Sequence, residues 1–169
     1  MAAELNRVME WYEIALDSQK VMKKLIKKNP EIIPLDSVLA AKEVKETDKL
    51  LQRSIGELND LTIVSLVSIF EQVLIGNLKM VIQNQFDRDD DFSNKLSLFT
   101  IQQVERGRFT EIIDLYKPLV GSDLAGTVKQ VYIYRNWVAH GKKTDKTPPI
   151  IDPVSAYDRL SEFLILVNK

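Results

Sequence analysis

Apolar residues recur at helical spacing along almost the whole chain, and no segment sustains the period of two that a half-buried strand requires. In the first stretch Leu5, Val8, Tyr12, Ala15, Met22 and Ile26 keep a three-four spacing, with Gln19 filling one position. That pattern predicts one apolar face on a long amphipathic helix. Asn29-Pro30 and Pro34 end it, because proline breaks the helical ladder. Asp36 and Ser37 are expected to cap the next helix, whose stripe runs through Val44, Leu51, Ile55 and Leu58. Around Gly56 to Asp60 the pattern changes. From Leu61 to Phe86 apolar residues cover most of the circumference, leaving Ser65, Ser68, Gln72, Lys79 and Gln83 on a narrow polar line. A helix this apolar belongs at the centre of a bundle.

A loop is expected over Asp87 to Asn94, then two short helical stretches divided near Gly107 and stopped by Pro118. Another helix runs from Ser122 to His140. A polar loop, Lys142 to Pro149, leads to a last helix with Asp152 as N-cap and Pro153 at its first position. There is no repeat and no low-complexity tract. The expected fold is all-α, an antiparallel helical bundle joined by short loops. A chain of 169 residues is expected to form one domain, with N-terminal helices over 1–57 and a core over 58–169.

Composition narrows the function. The chain has 23 Lys and Arg against 24 Asp and Glu, a net charge of -1, so no global basic field draws nucleic acid and any such site is local. The absence of cysteine excludes thiol catalysis, thiolate metal sites and disulfides, and fits a reducing compartment. The first residues carry acids and lack the apolar region of a signal peptide. The stretch from Leu61 to Ile82, interrupted by Glu71 and Lys79, is expected to be a core helix and not a membrane span. A cytoplasmic location is the expectation.

Metal and phosphate-loop chemistry find no support. The acidic run Asp87-Arg88-Asp89-Asp90-Asp91 fails the calcium-loop test, because Phe92 stands where the turn glycine belongs and Leu98 where the bidentate glutamate belongs. It is expected to be a solvated loop. One histidine cannot supply a zinc or di-iron set. No glycine-rich nucleotide loop is present. No cofactor and no metal are expected.

The chemistry that remains lies in Arg135-Asn136-Trp137-Val138-Ala139-His140-Gly141, which holds the only histidine. One reading is a helix C-terminus, with Gly141 in the left-handed position after the cap and His140 complementing the helix dipole. The other is a phosphodiester-cleaving set of arginine, amide and imidazole. Glu71 bears on the choice. It interrupts the apolar stripe Val64, Val67, Leu74, Leu78, and Arg135 interrupts the stripe Leu124, Val128, Val131, Val138. A charge on a core stripe is costly unless paired, so the two are expected to meet. Such a pair is either purely structural or a device that holds the guanidinium toward a phosphate. Arg135 and His140 lie about 140° apart on an ideal helix, so they converge only in a frayed last turn or across two chains. Two chains would also supply two imidazoles for acid and base. Tyr132, Tyr134 and Trp137 flank the motif, as core, as dimer interface or as base-stacking groups. Lys142, Lys143 and Lys146 form a small basic tract suited to an RNA backbone or to a solvated loop.

These residues resemble the HEPN superfamily (higher eukaryotes and prokaryotes nucleotide-binding), whose hallmark is arginine, a polar residue, and a histidine after four to six intervening positions. Here those are Arg135, Asn136 and His140, with Ala139 and Gly141 giving a common Ala-His-Gly ending. Ser68-Ile69-Phe70-Glu71, Asp152-Pro153, Ala156-Tyr157 and Phe163-Leu164 are similar to the flanking pattern of prokaryotic members. The resemblance covers Leu61 to Val167; the first sixty residues match only as helices. It implies a helical homodimer with two motifs on a shared groove, and metal-independent cleavage of RNA. It also implies a setting in toxin-antitoxin systems, stress or phage defence, with an antitoxin protein as a possible partner. In that scheme Arg135 binds and stabilises the scissile phosphate, His140 transfers protons and Asn136 orients one of them or the substrate, while Glu71 supports Arg135. Tyr132, Trp137, Lys142 and Lys143 are the candidate RNA contacts. The alternative within the same resemblance is a non-catalytic module that dimerises or binds a nucleotide or partner protein. One departure stands out: a branch silenced by modification of a tyrosine two positions after the histidine has Lys142 here instead.

Overall fold

A computed structural model of the chain describes residues 2–86, 90–143 and 147–168. Among them every regular element is helical. The helices are α1 (Ala2–Lys28), α2 (Val44–Gln85), α3 (Asp91–Arg106), α4 (Phe109–Leu115), α5 (Lys117–Val120), α6 (Ser122–Ala139) and α7 (Pro153–Val167), with a single 3-10 turn at Pro30–Ile32. The fold is an all-α bundle, as the periodicity predicts.

Its axis is α2, 42 residues long, or about 63 Å at the usual rise per residue. The helix passes through Gly56 to Asp60 without a break. Those residues look like a seam because they are polar, yet two of them are tertiary partners. Asn59 accepts a hydrogen bond from the Tyr12 hydroxyl at 3.0 Å, and Asp60 accepts one from Tyr134 at 2.7 Å. Gly56 alone costs a helix about 1 kcal/mol and does not stop it. By length and composition α2 could cross a membrane, but in the bundle it packs against α1, α6 and α7.

The core gathers around Phe70, which is fully buried. Its ring meets Phe109 of α4 and Phe163 of α7 edge-on, with centroids 6.0 and 5.3 Å apart. Leu5, Met9 and Tyr12 close the core from α1, and Val128 and Val131 close it from α6. Met9 lies outside the predicted α1 stripe but is buried, whereas Met22 is exposed. Only the first half of α1 joins the main core, so the far half obeys the stripe less strictly.

Several boundaries differ from the sequence pattern. Asp36 and Ser37 do not cap α2: Ser37 accepts from the Leu39 amide in a local turn, and α2 starts at Val44 after Glu43, which makes no side-chain cap. The loop expected through Asn94 ends earlier, because Asp90 caps α3 by accepting from the Ser93 amide at 2.8 Å. The start of the acidic run, Asp87-Arg88-Asp89, lies outside the described residues. α4 ends at Leu115, just before Pro118 as expected, and Pro118 then stands in the first turn of the short α5, where proline is tolerated. Gly121, at φ 86°, then turns the chain into α6. Asp152 and Pro153 start α7 as predicted, with Asp152 accepting from the Ser155 amide at 3.0 Å.

Candidate active site on α6

The end of α6 is a glycine cap. The Gly141 amide donates to the Val138 carbonyl and the Lys142 amide to the Trp137 carbonyl, both at 2.9 Å, the paired bonds of a Schellman motif. Gly141 takes φ 70°, as expected for the residue after the cap. Lys142 also has a positive φ, 60°, which carries a steric cost for a residue with a Cβ. Its side chain offsets that cost. Nζ pairs with Asp60 at 2.5 Å and sits 5.5 Å from the centre of the Trp137 ring. Asp60, buried in α2, thus holds Tyr134 through one oxygen and Lys142 through the other. Burial and the Asp60 carboxylate both raise the Tyr134 phenol pKa, so this hydroxyl stays a donor. The cap carrying His140 is therefore tied to the centre of the bundle.

One turn back, Arg135 meets Glu71. Nη2 donates to Glu71 Oε2 at 2.9 Å, and Nη1 donates to Asn136 Oδ1 at 2.9 Å. The guanidinium carbon lies 5.9 Å from the Tyr132 ring centre, and Nε is buried without a hydrogen-bond partner. The two charges that interrupt apolar stripes do meet, each side chain about a fifth exposed. Burial lifts the Glu71 carboxyl above its ordinary 4.5, and the Arg135 charge offsets only part of that rise.

A consequence for pH follows. The folded protein holds the Glu71 proton more tightly than the unfolded chain does. This group's favourable contribution is therefore complete below about pH 4.5 and lost as pH rises through the folded pKa. Arg135→Ala removes the offsetting cation, so the Glu71 carboxyl should titrate higher still. Carboxyl NMR titration of both proteins checks this, and a downward shift in the variant would contradict the pair.

Beside the pair lies a cleft of about 430 Å³ between α2, α6 and the α3–α4 junction, lined by Glu71, Arg108, Phe109, Tyr132 and Asn136 among others. Tyr132 packs its ring 5.1 Å from Phe109 and walls this cleft. Tyr134 is core, and Trp137 is half-buried against it. Arg135, Asn136 and Glu71 thus come together, with Tyr132 at their side. His140 does not join them. It is exposed at the C-cap of α6, does not line the cleft, and makes no side-chain hydrogen bond among the described residues. Of the candidate RNA contacts, Lys142 and Lys143 are both exposed, and Lys142 is paired with Asp60. Lys146 lies outside the described residues. Sequence reasoning missed Asp60, Arg108 and Phe109. Asp60 was detectable as an acid inside a continuous helix, had the Gly56–Asp60 stretch not resembled a seam.

No protein-family model matches the chain, and comparison with curated proteins and with solved structures finds no match. Among the described residues no cluster of His, Cys, Asp and Glu could hold a metal ion.

Proposed function

We propose that this protein is a metal-independent endoribonuclease of the HEPN type, acting as a two-fold dimer in the cytoplasm. The observation that carries the reading is Arg135, anchored by Glu71 and bonded to Asn136, both of which line the cleft, and lying five residues before an exposed His140. His140 takes the proton of a ribose 2′-hydroxyl, and that oxygen attacks the adjacent phosphorus. Arg135 stabilises the charge that builds on the phosphorane. The bond to the 5′ oxygen then breaks, and the His140 imidazolium of the partner subunit returns a proton to that leaving oxygen. The products are a cyclic phosphate and a 5′-hydroxyl. Two motifs facing each other across a two-fold axis would supply the second imidazole and bridge the separation of Arg135 from His140. A setting in toxin-antitoxin, stress or phage-defence systems, with an antitoxin protein as partner, belongs to the same reading.

A second reading has its own support. Both terminal nitrogens of Arg135 are engaged by protein acceptors, as they would be in a non-catalytic module that only dimerises or binds a nucleotide or partner protein.

A mixed-sequence RNA separates the two readings. The purified protein should cleave it in EDTA and leave cyclic-phosphate ends, while the same sequences with 2′-deoxy or 2′-O-methyl riboses stay intact. No cleavage at all would favour the binding module, and cleavage only with added divalent metal would overturn the metal-independent mechanism.

A further inference from the structure

Helix α1 carries a second apolar stripe that the bundle leaves open. Trp11, Ile14, Val21, Met22 and Leu25 are all exposed, Ile14 at 70%, and Ser18 is exposed at their midpoint. At about 100° per residue these positions fall within one narrow arc of the helix. The residues that α1 buries, Leu5, Met9, Tyr12 and Ile26, lie on a different arc.

The stripe is complementary to itself when reversed. Laid antiparallel about Ser18, Trp11 falls opposite Leu25, Ile14 opposite Met22, and Ser18 faces its own copy. The charges obey the same symmetry. Glu10, Glu13 and Asp17 occupy one flank of the first half, and Lys20, Lys24 and Lys28 continue that flank in the second. In an antiparallel pair related by a two-fold axis, a flank lies against the same flank of the other helix. Glu13 then comes within about one residue's rise of Lys24, and Asp17 likewise of Lys20, these last two also pairing within one helix at 3.9 Å. Neither Glu13 nor Lys24 is in an ion pair among the described residues, whereas Lys23 and Lys27, turned the other way, are held by Asp48. Beside Trp11 the groove between α1 and α2, about 530 Å³ and lined by Glu4, Arg7 and Ile69, extends the surface.

We infer that the outer face of α1 is an isologous interface whose occupant is the α1 of a second copy of this chain, antiparallel and centred on Ser18. Apolar contacts fill the seam, and the acid-to-lysine flank sets direction and register, since a parallel pair would lay this flank against the opposite flank of the partner helix, with Val8, Ala15 and Gln19, and lose the acid–lysine pairs. The interface leaves α6 outside it and is a second two-fold contact, separate from the one proposed to join the cleavage motifs, so its test needs no RNA and no activity.

The chain has no cysteine, which makes the test clean. Under mild oxidation the Ser18→Cys protein should form a disulfide-linked dimer. Lys95→Cys, exposed on α3, should stay uncrosslinked at the same concentration. By sedimentation, Glu13→Lys should lower the dimerisation constant by about tenfold through two symmetric repulsions, and adding Lys24→Glu should restore it. Circular dichroism of each variant separates lost association from lost fold. The inference is overturned if Ser18→Cys cross-links no faster than Lys95→Cys, whether the protein is then a monomer, a dimer through another face, or bound to a different protein by this stripe. Failure of the double reversal to restore association would overturn the proposed register and charge pairing.

Discussion

Truncating Phe70 to alanine is expected to lower folding stability by about 3–5 kcal/mol, the usual cost of deleting a buried phenyl ring. Phe70 is fully buried and joins three helices, because its edge-on contacts with Phe109 and Phe163 bind α2 to α4 and to α7. Each aromatic pair adds about 0.5–1.5 kcal/mol beyond area burial. Natural domains hold only about 5–15 kcal/mol in total, so the variant should sit near the edge of folding. For a chain of this size the melting temperature should fall by about 10 °C. Phe70→Leu keeps most of the volume and should cost about 1–1.5 kcal/mol. Chemical denaturation of the three proteins checks the ordering, and near-equal midpoints would place the centre of the core elsewhere.

Arg135→Ala should act on fold and function together. Breaking a fully buried pair costs about 3–5 kcal/mol. Here each partner keeps about a fifth of its exposure, so a loss of about 1–3 kcal/mol is expected. Cleavage should fall by about a hundredfold to a thousandfold, the usual loss when one group stabilising transition-state charge is removed. The two effects are separable. Glu71→Gln keeps an acceptor for the guanidinium and should retain more of both fold and activity than Arg135→Ala. Equal activity of Arg135→Ala and wild type, corrected for the folded fraction, would assign the pair a purely structural role.

Much of the architecture was legible because helices write their faces into sequence. The apolar wrap of α2, the Asp152-Pro153 start of α7 and the Gly141 stop of α6 each rest on local rules, and each is found where those rules put it. The pairing of Glu71 with Arg135 was legible for a different reason: an ionised side chain on an apolar stripe must find a partner, and only one opposite charge shared that predicament. What failed were inferences from local polarity. Asn59 and Asp60 read as a break between helices, yet their hydrogen bonds run sideways to Tyr12 and Tyr134, 47 and 74 residues away in sequence. A single chain gives no sign of such distant partners. Pro118 read correctly as the end of α4, but the short α5 that holds it in its first turn was not foreseen, because a proline can follow one helix and open the next. The cleft beside Asn136 was illegible for the same reason as Asp60, since Arg108 and Phe109 reach it only through the packing of α4 on α6. The role of Lys142 in the cap was also invisible in sequence, since its left-handed backbone and its bond to Asp60 arise only in the fold.

The most direct measurement is a time course of RNA cleavage in EDTA by wild type and His140→Ala, side by side and with matched circular dichroism. His140 is exposed and terminal in α6, so its removal should change stability by no more than about 1 kcal/mol. Loss of a positioned acid-base group should slow cleavage by about 10²–10⁴-fold and remove the cyclic-phosphate ends. A His140→Ala protein that is folded and cleaves as fast as wild type would contradict the account.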